Sequence, residues 1–149
     1  MTVLDRSIVI NASTEAIDAV TLDGHRFPEW YAGVQESHPD NTYPEPGGVV
    51  NLVYKTAGIT FNLSLTSLRI IRGQSLLLRM DGMIAGKSRW VYTPEDGGTR
   101  VTCTFQYEIP GGGAGKALDR LLIERMNAKN LEESLQNLKA VVERGLERG

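Results

Sequence analysis

The stretch KALDRLLIERMNAKNLEESLQNLKAVVER, Lys116 to Arg144, contains neither proline nor glycine and decides how the rest of the chain must fold. Leu121, Ala128, Leu131, Leu135, Leu138 and Val142 recur at three- and four-residue intervals, which places them on one face of a helix. Leu118, Leu122 and Met126 widen that stripe toward the N-terminal end, and Gly145 stands where a C-terminal cap belongs. A helix of about 29 residues would run roughly 44 Å at 1.5 Å per residue. That is long enough to cross a whole sheet, and so wide a stripe needs one to cover.

The residues before it supply the sheet. Ile59, Phe61, Leu63 and Leu65 alternate with Thr60, Asn62, Ser64 and Thr66, a period of two. Val49–Lys55 precedes them, and Leu76, Leu78 and Met80 resume the pattern after the turn Arg72-Gly73-Gln74. Ser88, Trp90 and Tyr92 share one register, and so do Val101, Cys103, Phe105 and Tyr107. Between those two runs, Pro94-Glu95-Asp96-Gly97-Gly98 is a strong hairpin signal. One face is apolar and aromatic and the other is Thr, Asn, Ser, Lys, Arg and Gln, so the sheet is covered on one side only. Further upstream, residues 3–10 read as a strand, Ser13 as the N-cap of a short helix from Thr14 to about Leu22, and His25–Ala32 as a second short helical or turn segment. Pro28 lies near the start of that second segment and Gly33 just past its end. Val34–Pro46 reads as a weak edge strand and a loop. The order β-α-α-β6-α predicts an α+β architecture, a curved antiparallel sheet wrapped around a long C-terminal helix, over residues 1–149 as a single domain.

Composition narrows the function. The chain has 149 residues, 41% of them hydrophobic and 23% charged, with sixteen Lys and Arg against eighteen Asp and Glu. A net charge of −2 lacks the basic excess of a general nucleic-acid binder. Apolar runs of only a few residues fall far short of a membrane span of roughly 18–20, and the first residues lack the layout of a secretory leader. A cytoplasmic location is therefore expected, with the sequons at Asn11 and Asn62 idle. One cysteine and two histidines are too few for a structural zinc site, and neither metal nor cofactor is expected.

The motifs that invite chemistry have plainer readings. Gly111-Gly112-Gly113-Ala114-Gly115-Lys116 fails as a phosphate loop. Pro110 occupies the place of the first glycine, and Ala117 the place of the Mg²⁺-binding hydroxyl. A flexible loop at a cavity mouth fits better. Cys103, between Val101 and Phe105, has no cation in its strand to lower its pKa and reads as a buried inert thiol. His38 reads as exposed loop text. His25, two residues before Phe27-Pro28-Glu29-Trp30, is a candidate ligand contact. Trp30 and Trp90 belong at a pocket rim, where the indole N–H finds a partner. Tyr54, Tyr92 and Tyr107 are the best groups for orienting a ligand oxygen. Paired carboxylates are missing from the inward registers, and Arg79 and Arg120 are the two arginines that could point inward.

The chain resembles the START-like, helix-grip (SRPBCC-type) superfamily, in particular its polyketide cyclase/dehydrase and lipid-transport branch. The resemblance runs from Ser7-Ile8-Val9-Ile10-Asn11-Ala12 with Glu15, through Phe27-Pro28-Glu29-Trp30 and Gly33-Val34, to Arg89-Trp90-x-Tyr92 and Gly97-Gly98-Thr99-Arg100-Val101-Thr102. It ends with Leu131-x-x-x-Leu135-x-x-Leu138-Lys139. It implies a concave sheet gripping the helix over a deep apolar cavity, and a small hydrophobic or aromatic partner such as a lipid, quinone or polyketide-like compound. The residues expected to touch it are His25, Trp30, Tyr54, Phe61, Met80, Trp90, Tyr92, Phe105, Tyr107, Leu118 and Leu122. A cyclase or dehydratase working through Tyr92, Tyr107 and His25 is the alternative. An interaction scaffold, like co-chaperone and toxin-like relatives, is the third reading.

Overall fold

A computed structural model describes residues 2–56, 58–108 and 117–148, with side chains of the last helix described from 123 to 146. The chain opens with β1 (Thr2–Ile10), α1 (Thr14–Thr21) and α2 (Phe27–Trp30). Six strands follow: β2 (Val34–Pro39), β3 (Val49–Thr56), β4 (Ile59–Ile71), β5 (Ser75–Gly82), β6 (Ala85–Glu95) and β7 (Gly98–Glu108). The chain closes with α3 (Ala117–Arg148). The seven strands form one antiparallel sheet in the order β1-β7-β6-β5-β4-β3-β2.

Local chemistry sets the joints. The Ser13 side chain accepts a hydrogen bond from the Ala16 N–H at 3.2 Å, capping α1. Asp96 and Gly97 both have positive φ, 46° and 80°, as a two-residue turn matched to strand twist requires, so β6 and β7 pair from Glu95↔Gly98 onward. Register shifts interrupt the ladder between Val34 and Glu36 and between Ser67 and Arg69, the irregularity that lets a strand bend. In the β2–β3 connection, the Asp40 carboxylate accepts from the N–H groups of Thr42, Tyr43 and Val49.

Alternation then sorts the faces. Val50, Leu52 and Tyr54 on β3 are buried, as are Leu63 and Leu65 on β4 and Leu76, Leu78 and Met80 on β5. Trp90 and Tyr92 on β6 and Val101, Cys103, Phe105 and Tyr107 on β7 are buried on the same face. Helix α3 lays Leu131, Ser134, Leu135, Leu138, Val141 and Val142 over that surface. It also guards the free edge of β1. The Lys139 ammonium donates to the Val9 carbonyl at 2.9 Å, and the Glu143 carboxylate accepts from the Asn11 N–H at 2.8 Å. Unpaired edge groups invite another strand, and these two side chains occupy one such group at the end of β1 and one just beyond it.

Two expectations change. Gly145 does not cap α3, which continues through it to Arg148. A cap would need the left-handed conformation, and Gly145 is not among the residues with positive φ, while Leu146, Glu147 and Arg148 are good helix formers. Arg79 does not point inward: it lies on the outer face and pairs with Asp81 at 3.0 Å. The glycine-rich loop and the side chains of Leu118, Arg120, Leu121 and Leu122 fall outside the described residues.

Candidate functional site

The space between sheet and helix is filled at one end and open at the other. Helix α2 and the segments beside it supply the filling. Trp30 meets Trp90 edge to face at 5.5 Å, Phe27 lies 5.4 Å from Trp30, and Tyr43 packs 6.1 Å from Phe27. Polar tips are satisfied around Thr21, whose hydroxyl donates to the Ile17 carbonyl and whose carbonyl accepts from Tyr43. Because that single hydroxyl hydrogen is committed to Ile17, the 2.9 Å contact between Thr21 Oγ1 and Tyr92 Oη has Tyr92 as donor. Burial pushes the Tyr43 and Tyr92 phenols well above their ordinary range.

At the other end lies a cavity of about 330 Å³. One wall comes from the sheet: Tyr54 and Thr56 on β3, Ile59, Phe61 and Leu63 on β4, and Phe105 on β7. Met83 and Ile84, in the β5–β6 connection, extend it. The opposite wall is the first half of α3, with Ile123, Met126, Asn127, Asn130 and Leu131. Ile59 and Met83 are each about half exposed and mark the mouth. Tyr31, just after α2, closes the inner end. Its ring lies 5.3 Å from Trp30 and 6.5 Å from Trp90, so it separates the cavity from the packed cluster.

Polar groups gather at Tyr31. The Asn130 amide donates to the Tyr54 hydroxyl, while the Asn127 Nδ2 is buried with no hydrogen-bond partner. Burial raises the Tyr31 phenol far above its usual range, and the nearby Tyr54 adds to the effect. Burial raises Tyr54 too, with the Asn130 hydrogen bond pulling the other way. Both phenols therefore stay protonated at neutral pH and act as hydrogen-bond donors rather than bases. Among the described residues, no cluster of His, Cys, Asp and Glu could hold a metal ion, and no helix is long and apolar enough to cross a membrane.

Residues 1–143 match the family model described as polyketide cyclase/dehydrase and lipid transport. The chain belongs to that family. Among solved structures, this family member is similar to a protein from Thermus thermophilus. The TM-score is 0.84 at 19% identity, covering 97% of this chain and 99% of that one. It is equally similar to the Zhui aromatase/cyclase from Streptomyces sp. R1128, at TM-score 0.84 and 13% identity, covering 97% and 95%. A START superfamily protein from Mycobacterium smegmatis gives 0.75 at 15% identity, covering 95% and 97%. At these identities the likeness establishes the helix-grip fold. No curated protein sequence matches.

Within this family member the eleven expected contact residues separate into groups. Tyr54, Phe61 and Phe105 stand together on the cavity wall. Trp30, Met80, Trp90, Tyr92 and Tyr107 face the helix side of the sheet but are not part of that wall. Trp30 is the clearest departure from the rim position expected for it, because α2 drives its indole into the Trp90 cluster and leaves it 2% exposed. His25 is exposed in the loop before α2, away from the cavity, with its own N–H bonded to the Asp23 carboxylate. Leu118 and Leu122 belong to the helix turn whose side chains are not described. His38 is exposed beside Glu36, and burial holds the Cys103 thiol protonated.

The sequence reading missed Tyr31, Asn127 and Asn130. The two asparagines had a signal: they interrupt the helix stripe at i and i+3, in step with Leu131, and so face the sheet. Tyr31 had none, because it follows a four-residue helix with no period to extrapolate.

Proposed function

We propose that this protein binds a small apolar or aromatic molecule, such as a lipid, a quinone or a polyketide-like compound, in the cavity between the sheet and the first half of α3. The observation that carries the reading is the make-up of the cavity: walls of Ile, Leu, Met and Phe with a few polar groups converging near Tyr31. That combination gives a ligand an apolar interior to enter and a fixed end to align with. Membership of a family described by lipid transport and polyketide cyclisation supports a ligand of this class. The whole chain would act as one binding domain. The unpaired Cys103 suits the reducing cytoplasm.

Carriage rather than turnover is the function we favour. Tyr92, a candidate acid for a cyclase or dehydratase, spends its proton on Thr21 within the packed cluster. Native mass spectrometry of freshly purified protein tests the reading by seeking a co-purified compound. Titration with fatty acids, quinones, flavonoids and short polyketides, followed by indole emission, tests it independently. Filling the cavity should perturb Trp30 and Trp90 through Tyr31, which touches both. A saturable change with at least one class is the expected result. No adduct and no saturable change with any class would sink the proposal, and turnover in the same panel would replace it with the enzyme reading.

A further inference from the structure

We propose that the cavity selects an uncharged molecule, an apolar body carrying a hydrogen-bond-accepting oxygen such as a ketone, ester or quinone carbonyl, and discriminates against ionised carboxylates. The inference rests on the reading of the cavity as a ligand site and narrows it. Among the described residues, no Asp, Glu, Lys, Arg or His lines the space. An anion entering it would surrender its hydration with no counter-charge from the described walls to offset the loss.

The polar side chains on the described wall, Tyr31, Tyr54, Thr56, Asn127 and Asn130, are all neutral. Tyr54 Oη accepts from Asn130, which leaves the Tyr54 hydroxyl hydrogen unused among the described residues. The Tyr31 hydroxyl makes no hydrogen bond among the described residues, and Tyr31 stands on the same wall. The two phenolic hydroxyls on the wall, Tyr31 and Tyr54, complement an acceptor oxygen. They offer nothing to a second apolar group. The same burial that holds the Tyr31 and Tyr54 phenols neutral penalises any other negative charge placed beside them.

Three probes on one ring skeleton test this: 2-acetylnaphthalene, 2-ethylnaphthalene and 2-naphthoate, each titrated calorimetrically at pH 8. The ketone should bind at least about tenfold tighter than the carboxylate. The carboxylate's apparent affinity should rise about tenfold for each pH unit lowered toward its own pKa, because only the neutral acid enters. Tyr31→Phe should weaken the ketone roughly two- to tenfold, the worth of one neutral hydrogen bond, and leave ethylnaphthalene unchanged. Tyr54→Phe gives the same comparison should the first variant fail to fold. Carboxylate binding at pH 8 as tight as that of the ketone would overturn the inference while leaving the cavity a ligand site. So would variants that weaken the hydrocarbon as much as the ketone. Failure of all three probes, with no binding by any other class, would remove the ligand site itself and the inference with it.

Discussion

Raising the pH should unfold this protein through its buried acids. Burial holds Tyr43, Tyr92 and Cys103 protonated well above ordinary values of 10.0 for the phenols and 9.0 for the thiol. The unfolded chain releases those protons near the ordinary values and the folded chain does not. Above about pH 9–10, therefore, the folded state binds more protons, and stability falls as pH rises. Each such group removes about 1.4 kcal/mol per pH unit once its unfolded pKa is passed. By pH 11 the two phenols together contribute a loss of about 3 kcal/mol, and Cys103, two units past its value, about as much again. Tyr31, raised by burial in the same way, adds to this loss in the same direction. A loss of about 6 kcal/mol is comparable to the whole stability of an ordinary domain, about 5–15 kcal/mol, so cooperative unfolding is expected near pH 11. Far-ultraviolet circular dichroism and tyrosinate absorbance, followed through one alkaline series, should change together. Smooth tyrosinate formation centred near pH 10, with the dichroism still native, would refute the reasoning.

Three further outcomes follow from the packing. Leu135→Ala, at a position 2% exposed in the centre of the covering face, should lower unfolding free energy by about 2–5 kcal/mol in urea melts. A loss under about 0.5 kcal/mol would place that face in solvent. Gly33 has φ +94°, and a Cβ there would stand 2.8 Å from Tyr54 Cζ, so Gly33→Ala should cost about 1–3 kcal/mol. It should also displace the Tyr54 hydroxyl from Asn130, a change visible in the amide spectrum of Asn130 by NMR. Tyr92→Phe should cost about 0.5–1.5 kcal/mol in stability and leave ligand affinity unaltered, whereas Tyr54→Phe should alter affinity for oxygen-bearing ligands. Equal effects of the two variants on affinity would contradict the separation of packed cluster from cavity.

The fold was legible because its signals are periodic and mutually consistent. A helical stripe from Leu131 to Val142 and strands with a strict period of two can satisfy each other in few ways, and Asp96-Gly97 sets the register of the longest hairpin. Phe61 and Phe105 could be placed on the inner face by alternation alone. Alternation does not say how far along the strand the packing ends. Trp90 and Phe105 share a face, yet one lies in the filled end and the other on the cavity wall. What separates them is the position of α2, a four-residue helix with no period of its own. His25 stands outside the cavity lining for the same reason: nearness in sequence to Phe27 and Trp30 does not carry it through the turn they enter.

Helix α3 does two kinds of work, and its polar residues connect them. Beyond Leu131 its covering face is apolar apart from Ser134, and it holds the core closed. Before Leu131 the same face carries Asn127 and Asn130 and borders the cavity. Between these regimes, α3 fastens the segment after α2 on both sides of Tyr31. Asn137 donates to the Trp30 carbonyl at 3.2 Å, and Ser134 accepts from the Ala32 N–H at 2.9 Å while donating to the Asn130 carbonyl at 2.7 Å. Tyr31 is thus fixed to the helix through its two neighbours rather than through its own hydroxyl. This arrangement leaves the phenol available to a ligand while its ring keeps the inner wall in place. The polar positions that break the helix's apolar pattern cost some hydrophobic burial, but they tie the stable end of the protein to the wall of its cavity.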